Sequence, residues 1–413
     1  MSAHSNRPQR KAVPVSQIER KTFRLDCIRF TLQGWIDIIF KNYILLIAIR
    51  VFDLADYAKG LLSAAPYIGM ALTPFVVHFF TQIYPMPSNY ATTLWLFIAS
   101  IALVIASLTN EWFIFFVAIM FAKLLYKQTL PFATDIYNQN YPKERRGWII
   151  SKLFTILALS GIVAAKFCGK VLDYSLMNYR QILLLAGIAT LLCGYIYYKM
   201  PNRHIFSRES QSTLHSNLLI LCNDRLFTLI LFLWSLMSFA FQMTYPLRME
   251  YLANRCYGLN LSNDTISLIT VIIPSVTRIA STLFWGKIFD TQNFAVMKIM
   301  IDLCFLTSIP TFFFTDNFAL WIISAIALGL NYGGNLTAWQ LWVTKIVPSP
   351  EKLGAYVSLD VAIMGIRDAL ATTFGYFLLS HAISLHTICV IAILLTVISA
   401  IGFCFLVKHP RLC

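Results

Sequence analysis

The sequence predicts an all-α polytopic membrane protein: twelve transmembrane helices in two pseudo-symmetric six-helix bundles. Three observations predict it. Of 413 residues, 58% are hydrophobic and 13% charged, and mean hydropathy is +0.67, more apolar surface than a water-soluble fold buries. The apolar residues gather in about twelve runs, each near the ~20 residues that a helix needs to cross a hydrocarbon core. A polar stretch, residues 201–223, separates six runs from six. A transmembrane barrel would instead show short alternating segments, because lipid requires backbone groups to be satisfied within helices or closed sheets.

Residues 1–26 read as a cytoplasmic tail, too poor in apolar residues for a secretory signal. The first span, 28–50, is the least apolar: Asp37, Lys41 and Asn42 interrupt it, which places it inside the bundle. Spans two and three, 59–80 and 91–109, flank the loop "FFTQIYPMPSNYA". Span four, 112–137, carries Lys123 and Lys127 near its midpoint. Spans five and six, 148–170 and 180–200, complete an N-terminal bundle of residues 27–200. After the 201–223 linker, a C-terminal bundle of residues 224–413 repeats the count, with spans at 225–246, 264–286, 295–314, 318–341, 354–380 and 386–407.

The cations alternate with the loops. Eighteen Lys and Arg fall on the side of the N-terminus, seven on the other and eight inside spans. The positive-inside rule therefore puts both termini and the linker in the cytoplasm, in a cell (inner) membrane. The net charge of +14 is thus a topology signal, without the aromatic-laced basic patch of a nucleic-acid binder. The nine cysteines are scattered and read as small packing residues. Asn260 and Asn263 each begin an Asn-x-Ser/Thr acceptor pattern in a predicted outer loop.

The two halves echo each other. Laying "GWIISKLFTILALSGIVAAKFCGKVL" (147–172) on "GAYVSLDVAIMGIRDALATTFGYFLL" (354–379) matches Gly147 with Gly354, Ser151 with Ser358, Phe167 with Phe374 and Leu172 with Leu379. Weak internal symmetry of this kind marks duplicated transporter halves. Together with "YPKERRGWIIS" between spans four and five and "GKIFD" after span eight, the layout resembles the major facilitator superfamily. The resemblance implies that spans one, four, seven and ten line a central path. It also implies a gating role for Gly286, Asp290 and Arg146, with Asp290 latching one gate. The carboxylate of Asp290, at a helix end, suits the N-terminus of a neighbouring helix, where orphan N–H groups favour negative charge. The matching first-half loop, residues 79–91, has neither Asp nor a cation.

Depth within each span singles out the site. Lys123 and Lys127, four apart, share one helical face. A lysine at the bilayer centre costs ~2.5–3.5 kcal/mol on the insertion scale, so both must face protein or water. Near the same depth lie Asp37 and Lys41, Arg278, Asn331, Tyr332 and Asn335, and Arg367 with Asp368. Five cations there meet two acids. Asp37 with Lys41, and Asp368 with Arg367 or Arg278, are expected as ion pairs or proton carriers, leaving the lysines to an anionic solute. Asn331, Tyr332 and Asn335 would hydrogen-bond it, Gly333 and Gly334 serving helix packing as the alternative. Lys152 and Lys298 read as snorkelling interfacial residues and Trp339 and Trp342 as belt residues.

No HExxH, GxSxG or intramembrane His–carboxylate cluster appears, so no enzyme and no cofactor or metal is implied. Without a Walker-type loop, an ion or solute gradient, such as a proton gradient, must drive transport. The expectation is a monomeric secondary transporter of a small organic anion working by alternating access. The alternatives are a neutral or cationic cargo (sugar, peptide, drug), or a non-transporting sensor on the same fold.

Overall fold

The computed structural model describes residues 15–143, 145–201, 220–259, 261–347 and 353–412. Among the described residues, twelve helices are long and apolar enough to span a membrane. They are α1 (Gln17–Arg50), α2 (Asp56–His78), α3 (Ser88–Leu108), α4 (Trp112–Asn140), α5 (Arg146–Tyr174) and α6 (Leu176–Lys199) in the first half. The second half holds α7 (Arg225–Ala253), α8 (Asn263–Thr291), α9 (Phe294–Phe313), α10 (Phe318–Ile346), α11 (Leu353–Ser380) and α12 (Leu385–Leu406). Most of the expected 201–223 linker, and Asn260, lie outside the described residues.

The first helix starts earlier than expected, by Gln17, and Asp26 is buried rather than part of a tail. Its carboxylate takes Arg29 at 2.8 Å and the Tyr141 hydroxyl at 2.6 Å, tying α1 to the loop after α4. An i, i+3 Asp–Arg pair satisfies both charges along one helix face, so an apolar run is not needed to bury the segment.

The halves meet along two related pairs of helices. α2 lies against α11, where a side chain at Gly60 would come 2.9 Å from Tyr376 Cβ. α5 lies against the start of α8, where a Cβ at Gly169 would come 3.0 Å from Asp264 Cα. The repeated segments sit in α5 and α11, one in each pair, so the internal likeness falls on the helices that face the other half.

Three expectations are corrected. Lys298 does not snorkel: fully buried, it forms an ion pair with Asp302 one turn on (3.2 Å), lies over the Trp234 ring (4.5 Å), and Asp302 accepts from Ser399 of α12. Trp342 is core, stacked on Phe227 at 5.3 Å, and its indole N–H donates to buried Asp360. Arg248, which the expected span boundaries of 225–246 and 264–286 leave in an outer loop, is buried in α7, held by Ser308 and Ser324 and stacked on Phe312.

Removing one member of a buried pair strands a charge. Lys298→Met is expected to destabilise the detergent-solubilised protein by about 3–5 kcal/mol, and Lys298→Met with Asp302→Leu to recover most of that loss. Thermal unfolding of both variants checks it; equal destabilisation would show that volume, not charge, matters there.

Candidate substrate cavity

A cavity of about 340 Å³ opens between the halves, lined by α1, α2, α4 and α5 on one side and α7, α8, α10 and α11 on the other. That is the small end of the ~300–1,000 Å³ range of ligand pockets.

Irregular backbone shapes its walls. Ile39–Tyr43 of α1 and Leu268–Ile272 of α8 are π-helical turns. The wider turn rotates the remainder of the helix and re-aims its side chains. One turn presents Lys41 and Asn42 to the cavity, the other Thr270 and Val271. In α4, Pro131 lacks the N–H that would bond the Lys127 carbonyl, and the helix breaks at Gln128. The Gln128 side-chain amide spans the break, donating to Gly69 O (2.7 Å) and Leu124 O (3.2 Å). A Cβ at Gly69 would lie 2.9 Å from Leu124 O, so only glycine lets α2 approach α4 this closely behind the lysines.

Lys123 is 4% exposed, and its ammonium donates to Leu62 O at 2.8 Å. Lys127 lines the same wall, with no hydrogen bond or ion pair among the described residues. Arg278 lines the opposite wall, and its guanidinium likewise has neither. Lys41 reaches across the gap: it donates to the Tyr332 hydroxyl at 2.8 Å and sits over the Tyr245 and Tyr332 rings, 4.6 and 4.4 Å from their centres. Asp37 accepts from the Tyr126 hydroxyl at 2.9 Å. Among the described lining residues, four cations therefore face one carboxylate.

Several expected site residues lie elsewhere. Asp37 and Lys41 do not form the expected ion pair; each takes a tyrosine instead. Arg367 and Asp368 pair with each other at 2.8 Å behind the wall, and Asp368 also accepts from the lining residue Gln242 at 3.2 Å. Asn331 turns away, donating to Ile301 O of α9 at 3.0 Å, and Asn335 donates to Asn331 at 3.0 Å. A Cβ at Gly334 would come 2.6 Å from Ile301 Cγ1, so this segment of α10 serves packing, with Tyr332 alone of the trio in the cavity. Gln242, Tyr245 and Tyr126 join the lining without having been singled out, because a neutral polar residue in a span carries no distinctive signal.

Residues 36–293, more than half of the chain, match the sequence profile of the Major Facilitator Superfamily. The chain belongs to that superfamily. The crystal structure of the nucleoside transporter NupG is similar in fold, with a TM-score of 0.74 at 12% identity over 95% of this chain and 99% of that one. A bacterial homologue of the human lysosomal transporter Spinster, inward-facing and occupied, gives 0.67 at 15% identity over 95% and 97%. The D-xylose–proton symporter gives 0.66 at 13% over 93% and 97%. At such identities the likeness is one of fold. No curated protein sequence matches the chain. Superfamily membership and the twelve spans make it an integral multi-pass transporter of small solutes rather than an enzyme.

In this superfamily member the halves are clamped at the end away from the termini. Arg50 donates to Asn263 Oδ1 (2.6 Å), Leu261 O (2.8 Å) and Ala253 O (3.1 Å). Buried Lys59 pairs with Glu250 across the interface and with Asp56, each at 2.7 Å. The Asp173 carboxylate of α5 accepts from Asn263 N (2.6 Å) and Asp264 N (2.9 Å) at the start of α8, where a helix N-terminus favours negative charge. Lys166 pairs with Asp264 at 2.6 Å. Asn263 is buried within this clamp and its side chain holds Arg50, so it is no free glycosylation acceptor in this state. At the terminal end, by contrast, the polar contacts among the described residues stay within one half. Arg145 meets Glu19 and Arg146 meets Asn138 and Tyr141 O; Arg411 meets Asp224. Asp290 is exposed there, and a Cβ at Gly286 would meet nothing within 4 Å.

Losing a hydrogen bond to a charge costs about 1.5–3 kcal/mol. Glu250→Gln is therefore expected to raise the population open at the clamp by about ten- to a hundredfold. The rate of thiol labelling at Leu45→Cys, just beneath the clamp, reads this; an unchanged rate would show that Lys59–Glu250 does not hold the gate.

Proposed function

We propose that the chain carries a small organic anion by alternating access, and that the structure is its inward-open state, with the termini in the cytoplasm. The observation that carries the anion reading is the cavity's charge: Lys41, Lys123, Lys127 and Arg278 against Asp37 alone. In a water-filled cleft between low-dielectric walls, an excess of cations concentrates anions and repels cations. The clamp at one end and separate half-contacts at the other support the inward-open assignment, and the basic bias of the terminal side supports its being cytoplasmic.

The latch is part of the same proposal. Asp290, at the terminal end of α8, engages only when that end closes, which fits its exposed position here. Asp290→Asn is expected to favour the inward-open state, slowing transport several-fold with folding unchanged; an unaltered transport rate would make Asp290 a mere surface carboxylate.

The lysines give the decisive experiment. Lys123→Gln and Lys127→Gln should each weaken binding of a carboxylate- or phosphate-bearing solute by about ten- to a hundredfold, the cost of one charged hydrogen bond. A thermal-shift screen across anionic, neutral and cationic metabolites identifies ligands, since binding the folded state raises the melting point. Ligands that prove neutral or cationic, or bind both variants as tightly as the parent, would overturn the anion reading.

A further inference from the structure

Outside the cavity, four cations of the first half gather where α1 and α5 leave the membrane on the terminal side. α1 holds 34 residues, ~51 Å at 1.5 Å per residue against a hydrocarbon core of ~30 Å, so its polar start projects from the bilayer. At 3.6 residues per turn, Arg20, Lys21 and Arg24 share one stripe with Ile28 and Thr31. All five are exposed, whereas Thr22, Asp26, Arg29 and Phe30 on the other faces are buried. α5 carries an exposed stripe of its own, formed by Trp148, Lys152, Leu159 and Val163. The Arg145–Glu19 pair (2.9 Å) joins the starts of the two helices, and Trp35 meets Phe167 further down (5.4 Å between ring centres), so the stripes run side by side and face the same way.

The charge and the apolar surface along this seam are ordered by depth. Arg20, Lys21, Arg24 and Lys152 have no ion pair among the described residues. The two nearby carboxylates are neutralised by other cations: Glu19 by Arg145, and buried Asp26 by Arg29. Trp148 is 62% exposed, and the Lys152 ammonium lies over its ring at 3.5 Å. An exposed tryptophan with cations above it and aliphatic side chains below marks the headgroup level of a bilayer. Below it Ile28, Leu159 and Val163 are each more than half exposed, as lipid-facing side chains are.

We propose that the α1–α5 seam binds an anionic phospholipid of the adjoining leaflet, its headgroup among Arg20, Lys21, Arg24 and Lys152 and its acyl chains along Ile28, Leu159 and Val163. Charge and depth together select this occupant. A soluble polyanion would match the cations and leave the apolar stripe beneath them uncovered. A zwitterionic lipid would cover the stripe and leave the four cations without a counter-charge. An anionic lipid does both. Basic residues close to an anionic membrane surface each strengthen attachment by about fivefold. The seam joins α1, which carries Lys41 of the cavity, to α5, which carries Asp173 and Lys166 of the clamp. The lipid therefore braces the first half against itself, whatever the cargo.

The test uses the full-length chain, stripped of lipid in detergent, with phosphatidylglycerol as the probe and phosphatidylcholine of the same chain length beside it. Native mass spectrometry counts retained lipid, and thermal unfolding reads stabilisation, since a ligand of the folded state raises the melting point. Phosphatidylglycerol is expected to be retained and to stabilise, phosphatidylcholine to do neither. Arg24→Gln and Lys152→Gln should each weaken phosphatidylglycerol binding about fivefold, and the two together about twenty-five-fold, while Arg24→Lys leaves it nearly unchanged. Arg225→Gln with Lys408→Gln removes two exposed cations from the same side of the second half and should leave binding as it is. Equal binding of the two lipids, or equal losses in the two double variants, would show a diffuse surface attraction and overturn the proposal. Inorganic phosphate that stabilises the parent and not the Arg24→Gln, Lys152→Gln variant would also overturn it, by making the seam a site for soluble phosphate.

Discussion

A charge within a hydrocarbon layer has no water to turn to, and the rest of this structure depends on where each such charge finds a partner. Some are neutralised one turn away on their own helix, as Asp26 with Arg29 and Lys298 with Asp302. Others are neutralised across the interface, as Lys59 with Glu250. Lys127 and Arg278 have no ion-pair partner among the described residues, and they face the cavity. The three outcomes differ in place: local pairs let polar helices pack, cross-half pairs join the halves at one end, and the remainder faces the cavity.

The spans were legible because length and hydropathy alone define them, and four of the five mid-depth cations do line the cavity. Depth is one coordinate; the direction a side chain faces around its helix is the other, and it was harder to read. Asn331 and Tyr332 are neighbours in sequence, yet one meets α9 and the other the cavity. Arg367 lies at the right depth but beside Asp368, which holds it behind the wall. Lys298 with Asp302 and Asp26 with Arg29 were readable in principle from their spacing. Lys59 with Glu250 was not, since 191 residues separate them and only tertiary structure brings them together. The π-helical turns in α1 and α8 carry no sequence signature, and they shift the facing of every residue beyond them on the same helix.

The halves share topology without sharing chemistry. The first supplies Lys41, Lys123 and Lys127 with Asp37, the second Arg278 amid neutral hydrogen-bonding groups such as Gln242, Tyr245 and Tyr332. Duplication explains the paired contacts of α2 with α11 and α5 with α8, but divergence fell on the cavity, whose two walls carry different side chains. The loop after the second span of each half diverged likewise: Asp290 has no counterpart between α2 and α3. Nearby, Asp135 of α4 accepts from Ser88 at the start of α3, a carboxylate at a helix N-terminus reached by another route and confined to one half.

The clamp is built of ions rather than of grease. Lys166 and Asp264 remain half-exposed, whereas Lys59 and Glu250 are sealed from solvent. Dissolved salt screens the first pair over a distance of about 8 Å at physiological strength and hardly touches the second. The seal is thus graded, soft at its rim and hard at its centre, so that dissolved salt loosens the outer pair and leaves the buried one intact.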